Sequence, residues 1–229
     1  MWLDLFFVLL LAHLVADFVF QTKKSCQFKR DMKWRSPYMY LHGLTVFAFS
    51  WLFPFDIGFW WVALVIGVSH TLIDVCKTYM KDNVGWFAMD QVLHIGILAG
   101  VAFLWTKTNY WVIPFGVTLR TIALIIAVIV CWKPANIFIK LMLTDYSVNM
   151  PQASQSGFNA GALIGNLERW LILAFVILGH YEAIGLLIAA KSIIRFGEKE
   201  TAQTEYVLAG TLMSIFIAVM AGLFVTWIR

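Results

Sequence analysis

A chain of 229 residues that is 61% hydrophobic and 13% charged, with a mean hydropathy of +0.80, has far more apolar surface than a soluble domain of that length could bury. Composition therefore excludes a soluble globular protein and implies an integral membrane protein. The net charge of +4 is no nucleic-acid signature, because the basic residues sit in loops beside apolar runs, where membrane topology alone places them.

The first apolar run, "MWLDLFFVLLLAHLVADFVF", lacks a basic leader and a small-residue cleavage site, and it contains Asp4, His13 and Asp17. It reads as a first span rather than a cleaved signal peptide. Turn and charge clusters then divide the chain into about eight candidate spans near 2–21, 37–53, 58–76, 86–105, 111–132, 159–179, 183–196 and 205–228. Ser36-Pro37 supplies an N-cap and a first-turn proline for the second. Arg120 interrupts the fifth, and the seventh is short and holds Lys191 and Arg195, so seven spans are also compatible.

The fold class is thus all-α: a polytopic bundle of seven or eight spans, organised as a first half (1–110) and a second half (111–229). Loop 22–36 carries Lys23, Lys24, Lys29, Arg30, Lys33 and Arg35, whereas loop 54–57 has no Lys or Arg. The positive-inside rule places the first loop in the cytoplasm, with both termini outside. Segment 133–157 becomes a long cytoplasmic connection whose apolar first half lies in the interface.

A charged side chain at mid-bilayer costs between about 2.5 and more than 10 kcal/mol, so each one implies a partner, a metal or a wet cavity. His13-x3-Asp17 in the first span is matched by His70-x3-Asp74 in the third. The following spans carry His42 and His94, the latter preceded by Asp90. This is a two-helix unit occurring twice. Spacing of four puts both side chains on one helix face. Asp17, His42, Asp74 and Asp90 lie roughly four to six residues from the cytoplasmic end of their helices, and His13, His70 and His94 about seven to nine, so at ~1.5 Å per residue all occupy one layer.

Imidazole and carboxylate together suit zinc, iron, manganese or nickel, and three or four such groups fill a tetrahedral site. Seven candidates, His13, Asp17, His42, His70, Asp74, Asp90 and His94, leave room for one or two ions, for carboxylates that orient imidazoles, or for a general base. For any single residue the alternative is an interhelical hydrogen bond or a contact with loop lysines.

In the second half, Gly157, Gly161 and Gly165 form the small-xxx-small pattern of closely packed helices. Glu168, Arg169, Lys191 and Arg195 follow, with Glu198 and Glu205 beyond. They form either an ion-pair network, Glu168 with Lys191 or Arg195 and Glu205 with Arg169 or Arg195, or an anion site for a phosphate or carboxylate. Cys26, Cys76 and Cys131 are odd in number and widely spaced, giving neither a disulfide framework nor a thiolate site. No nucleotide-binding fingerprint is present.

The stretches "AHLVADFVFQ", "LHGL", "SHTLIDVCK" and "MDQVLH", with "KPAN", "NAGALIGNLERWL", "AAKSIIRFGE" and "EYVLAGTLMS" in the second half, resemble an uncharacterised bacterial inner-membrane family, domain-of-unknown-function family 3307. The His-x3-Asp and Asp-Gln-x-x-His elements also resemble those of bacterial YdjM-type membrane-bound, metal-dependent hydrolases. That second resemblance implies hydrolysis at a metal within the membrane, with the seven His and Asp residues as the candidates.

The expectation is a metal-dependent hydrolase of the bacterial cytoplasmic membrane, acting on a lipid-like or phosphorylated small molecule. Zinc is the expected ion, with Asp17, Asp74 or Asp90 as ligand or base, and Arg169, Lys191, Arg195 and Glu168 as the substrate contacts. Two rivals use the same residues differently: a divalent-cation or proton transporter, and a noncatalytic scaffold or sensor whose partner meets loop 22–36.

Overall fold

The computed structural model describes residues 1–146, 160–195 and 201–228, with the side chains of Ala160, Ile194, Arg195 and residues 201–206 left out. Among the described residues the chain is all-α, with no strand. It forms two compact units, Met1–Ile129 and Val130–Arg229.

In the first unit, α1 (Trp2–Leu14) runs without a break into a single π-helical turn, Val15–Phe20. The basic segment after it is folded as well. Helix α2 (Lys23–Met32) opens on a capping box in which Thr22 and Ser25 exchange side-chain and backbone hydrogen bonds. A 3-10 turn, Lys33–Arg35, leads to α3 (Pro37–Leu52). Ser36 and Pro37 start α3 as their sequence predicts, yet the buried Ser36 hydroxyl bonds no backbone N–H; the proline and the carbonyl of Ser36, accepting from Met39 at 3.0 Å, set the first turn.

Helix α4 (Trp60–Lys77) packs on α3 through two glycines. A Cβ on Gly43 would fall 2.1 Å from Thr71 Oγ1, and one on Gly67 would fall 3.0 Å from Phe47 Cβ and 3.2 Å from the Gly43 carbonyl. Bare backbone is therefore what lets the two helices cross so closely. Helix α5 (Val84–Thr108) begins at Asn83, whose side chain accepts from the Trp86 amide at 2.8 Å, and it packs against α1 and α4.

The run 111–132 is not one continuous helix. Phe115 and Gly116 sit at φ +61° and +65° in a turn after Pro114, and α6 starts only at Leu119, ending at Val130. Trp111 is buried and donates Nε1–H to the Pro54 carbonyl at 3.0 Å, tying this connection to the end of α3.

The second unit holds α7 (Lys133–Asp145), α8 (Ala160–Leu178), α9 (Tyr181–Arg195) and α10 (Thr201–Trp227). Helices α8 and α10 form its main packing pair. Their close approach is made at Gly222, where a Cβ would stand 2.6 Å from Val176 Cγ1. Gly165 has a different job, since a Cβ there would meet the Arg169 guanidinium of its own helix at 3.3 Å. Gly157 lies outside the described residues.

Among the described residues, five stretches are long and apolar enough to cross a membrane: Trp2–Phe20, Ile57–Lys77, Val84–Thr108, Gly161–Leu178 and Val207–Trp227. Leu119–Val130 with Lys133–Asp145 qualifies as a sixth if the pair is one broken span. Length and composition thus agree with a multi-pass membrane protein.

Candidate metal centre

All seven histidine and aspartate candidates lie in the first unit, and four helical segments bring them together. The crossing of α3 and α4 at Gly43 and Gly67 sets His42 beside His70, with Nε2 to Nε2 at 3.0 Å. Asp17, carried by the π turn, places Oδ1 3.3 Å from His42 Nε2 and 3.4 Å from His70 Nε2. Asp74 Oδ2 follows at 3.7 and 3.9 Å from the same two nitrogens.

These separations bracket the edge of a tetrahedron, about 3.3 Å for metal–ligand bonds of about 2.0 Å. Asp17 Oδ1 is buried and accepts no hydrogen bond, despite two imidazole nitrogens within reach. The two imidazole nitrogens are within hydrogen-bond distance of each other and Asp74 Oδ2 is held by Lys29, so Asp17 Oδ1 is the one ligand atom of the four left without a hydrogen-bond partner.

Deeper in the bundle, His13, His70 and His94 form a cluster of rings. Centroids lie 4.1 Å apart for His70 and His94, 5.2 Å for His13 and His94, and 5.4 Å for His13 and His70. A cavity of about 10 Å³, room for roughly one water, opens between these three rings and Ser69, Val46 and Leu98. His94 donates Nδ1–H to the Asp90 carbonyl at 2.8 Å, which fixes the tautomer and leaves Nε2 with a free lone pair. His13 Nε2, His94 Nε2 and Asp90 Oδ1 are buried with no hydrogen-bond partner.

Three ligand groups have donor atoms within 4.8 Å of one another: His13, Asp17 and His70; His42, His70 and Asp74; Asp74, Asp90 and His94. His70 belongs to two of them and Asp74 to two. The residue chemistry fits a divalent ion of the zinc or manganese kind, held by nitrogen and carboxylate oxygen.

Two lysines and a glutamine complete the site; contact with loop lysines is the alternative the sequence allows for an aspartate here, and Asp74 and Asp90 each make one. Lys29 of α2 is buried and pairs with Asp74, while Lys77, in the last turn of α4, pairs with Asp90 Oδ2 at 2.5 Å. Gln91 donates Nε2–H to the same Asp90 oxygen at 2.9 Å. The positive-inside bias accounts for these lysines as topology markers, which hid their second role. Lys77 does carry a signal, since it stands three residues after Asp74 on the same helix face. Next to Lys29 on α2, Cys26 donates to Gln21 Oε1 at 3.2 Å, and burial pushes its thiol up from the ordinary range.

In the second unit, Glu168 pairs with Lys191 at 2.5 Å, one of the ion pairs the sequence allows. Arg169 is 2% exposed, and its described bonds go to neutral acceptors. Nε donates to the Cys131 carbonyl at 2.6 Å, Nη1 to Ser214 Oγ at 2.8 Å, and Nη2 to Asn136 Oδ1 at 2.7 Å and Asn166 Oδ1 at 2.6 Å. The side chains of Arg195 and Glu205, and all of Glu198, lie outside the described residues.

No curated protein and no solved structure matches the chain, so the likeness to YdjM-type hydrolases gains nothing from these comparisons. A family model described as "Protein of unknown function (DUF3307)" matches residues 5–121, a stretch that includes all seven histidine and aspartate positions together with Lys29 and Lys77. The second-half stretches, from "KPAN" onward, fall outside the match. With just over half of its length covered by that model, the chain belongs to the DUF3307 family.

Proposed function

We propose that this is a cytoplasmic-membrane metalloprotein that hydrolyses a lipid-like or phosphorylated substrate at a divalent ion held by Asp17, His42, His70 and Asp74. The observation that carries this reading is that Asp17 Oδ1 and Asp74 Oδ2 each lie 3.3–3.9 Å from both Nε2 atoms of the His42–His70 pair. Asp90 and His94, sharing a donor group with Asp74, supply either a second ion site or the proton-handling residues.

A bound divalent ion supplies Lewis-acid polarisation of a phosphoryl or ester oxygen and acidifies the water it binds. The chain does the rest. Asp90 Oδ1, buried and unpartnered beside His94, is placed to accept a proton, while Lys77 and Gln91 hold the other carboxylate oxygen. Burial of His13, His42, His70 and His94, each under 10% exposed, keeps bulk water out and strengthens each electrostatic contact.

For topology, we take α3 and α9 as spans beside the five long helices and α6 with α7 as an eighth. The basic segment 22–36 then faces the cytoplasm and both termini lie outside. The two His-x3-Asp helices, each followed by a histidine-bearing helix, are read as a repeated unit.

Elemental analysis of the purified protein tests the reading, with His70→Ala and Asp74→Ala as comparisons. Wild type should carry about one ion or more per chain and both variants little. A metal-free wild type overturns the proposal. Phosphoester or lipid-ester turnover by the loaded protein supports the hydrolase; metal uptake into proteoliposomes without turnover assigns transport instead.

A further inference from the structure

Lys29 is hard to explain by topology alone. It belongs to α2, a helix outside the candidate spans, and its neighbours Lys24, Arg30 and Lys33 are exposed, yet its own side chain is 8% exposed and pairs with Asp74. Burying an ammonium is unfavourable unless it is paired, and the pairing with Asp74 puts a fixed positive charge on a carboxylate of the ligand set. Lys77 does the same to Asp90, which shares a ligand group with Asp74, with 37% of its own side chain exposed.

Asp17, Asp74 and Asp90 bring three negative charges, and the two lysines offset two of them with the histidines neutral. One net negative charge remains, and a single divalent ion turns that into one net positive charge. Each ammonium has three N–H donors and uses one on its carboxylate. A metal-loaded site would therefore carry a surplus of positive charge, with unused ammonium donors beside Asp74 and Asp90.

We propose that Lys29 and Lys77 form an oxyanion subsite that holds the phosphate group of the substrate beside the centre, an inference that rests on the metal-centre reading above. A phosphate has enough oxygens to meet both ammoniums and still face the ion, whereas a carboxylate has only two. Charge order follows: the anion binds after the metal, because before it the site repels anions. The subsite lies wholly within the first unit, on the carboxylates of the centre itself, and gives anion recognition to residues other than Arg169, Lys191 and Arg195.

Equilibrium dialysis of the full-length protein with Mn²⁺ comes first, followed by titration of the loaded protein with inorganic phosphate. Paramagnetic relaxation of the ³¹P signal reports phosphate held next to the ion. Wild type should give saturable relaxation that requires Mn²⁺. Lys29→Gln and Lys77→Gln should each keep Mn²⁺ at wild-type stoichiometry, bound as tightly or more so, while weakening phosphate by about tenfold or more. Lys→Arg at either position should recover part of the loss.

Retained Mn²⁺ is the folding control, and Lys77→Gln, at the more exposed position, decides the matter should Lys29→Gln lose its metal. No Mn²⁺ uptake by wild type overturns the metal centre and the subsite with it. Mn²⁺ uptake with phosphate binding indifferent to both lysines, or with no phosphate binding, overturns the subsite alone. Nanodiscs with phosphatidic acid identify the source: competition with inorganic phosphate supports the subsite as a lipid-headgroup site, and its absence supports a soluble phosphoester.

Discussion

The Nε2 atoms of His42 and His70 face one another across 3.0 Å, on two helices that cross where both are reduced to glycine. A neutral N–H···N pair at that separation would leave the nearby Asp17 Oδ1 without a donor, as found. A shared cation would satisfy all three atoms at once.

His70 contributes to two of the three ligand groups, so His70→Ala should weaken metal binding beyond the ~10–100-fold typical of losing an outer hydrogen-bond partner. His13→Ala should cost less, because its Nε2 borders the ring cluster and His13 is absent from the His42, His70, Asp74 group. Zinc competition with a chromogenic chelator ranks the two.

Gly67→Ala should separate α3 from α4, because the added carbon meets Phe47 and backbone that cannot move aside. Overpacking of this kind costs about 1–3 kcal/mol, read as a lower melting temperature in detergent, and metal binding should fall with it. Gly43→Ala differs: its nearest clash is the Thr71 hydroxyl at 2.1 Å, with Thr71 Cβ next at 3.5 Å. Thr71→Ala should therefore rescue Gly43→Ala and leave Gly67→Ala unrescued.

Replacing Arg169 by Met should destabilise the second unit by something on the order of 3 kcal/mol, because the Cys131 carbonyl, Ser214 Oγ and the part-buried Asn136 Oδ1 lose its donors together, while Asn166 Oδ1 keeps that of Asn136 Nδ2. Lysine cannot reproduce a planar fork that spans Cys131, Ser214, Asn136 and Asn166, so Arg169→Lys should recover little. Thermal unfolding measures both.

In a variant whose only cysteine is Cys26, maleimide labelling at pH 7.5 should be slower than for a peptide thiol, and the rate should keep rising at pH values where the peptide has levelled off. The sign follows from burial, which disfavours the thiolate and so raises the titration point. By linkage, this burial costs no stability at neutral pH and begins to do so as pH rises into the unfolded thiol's own titration range. Labelling as fast as the peptide would contradict the packing of α2.

The membrane class and the gathering of seven ligand candidates were legible, because histidine and aspartate are so costly in an apolar run that their spacing carries information. Glu168 with Lys191 was legible for the same reason. That aspartates here could contact loop lysines was legible too, but which lysines was not, since every lysine beside a span already has an explanation in topology. The helical state of 23–32 was hidden because its capping box closes on Ser25 rather than on Glu or Gln. The break in 111–132 depends on Phe115 adopting a positive φ, which its residue type disfavours, although Pro114 and Gly116 beside it are ordinary turn residues. At Gly165 the space a close helix contact would use is taken by Arg169 of the same helix, and a close α8–α10 contact is made at Gly222.

Val15–Phe20 is wound as a π turn, which takes up about one residue more than the α turn it replaces, and Asp17 sits inside it. Deleting one residue there should let the segment relax to α-helix, with the chain beyond it keeping its heading while the carboxylate of Asp17 turns away from His42 and His70. The surplus residue is thereby an aiming device for a single side chain, set by backbone winding and out of reach of any same-length exchange.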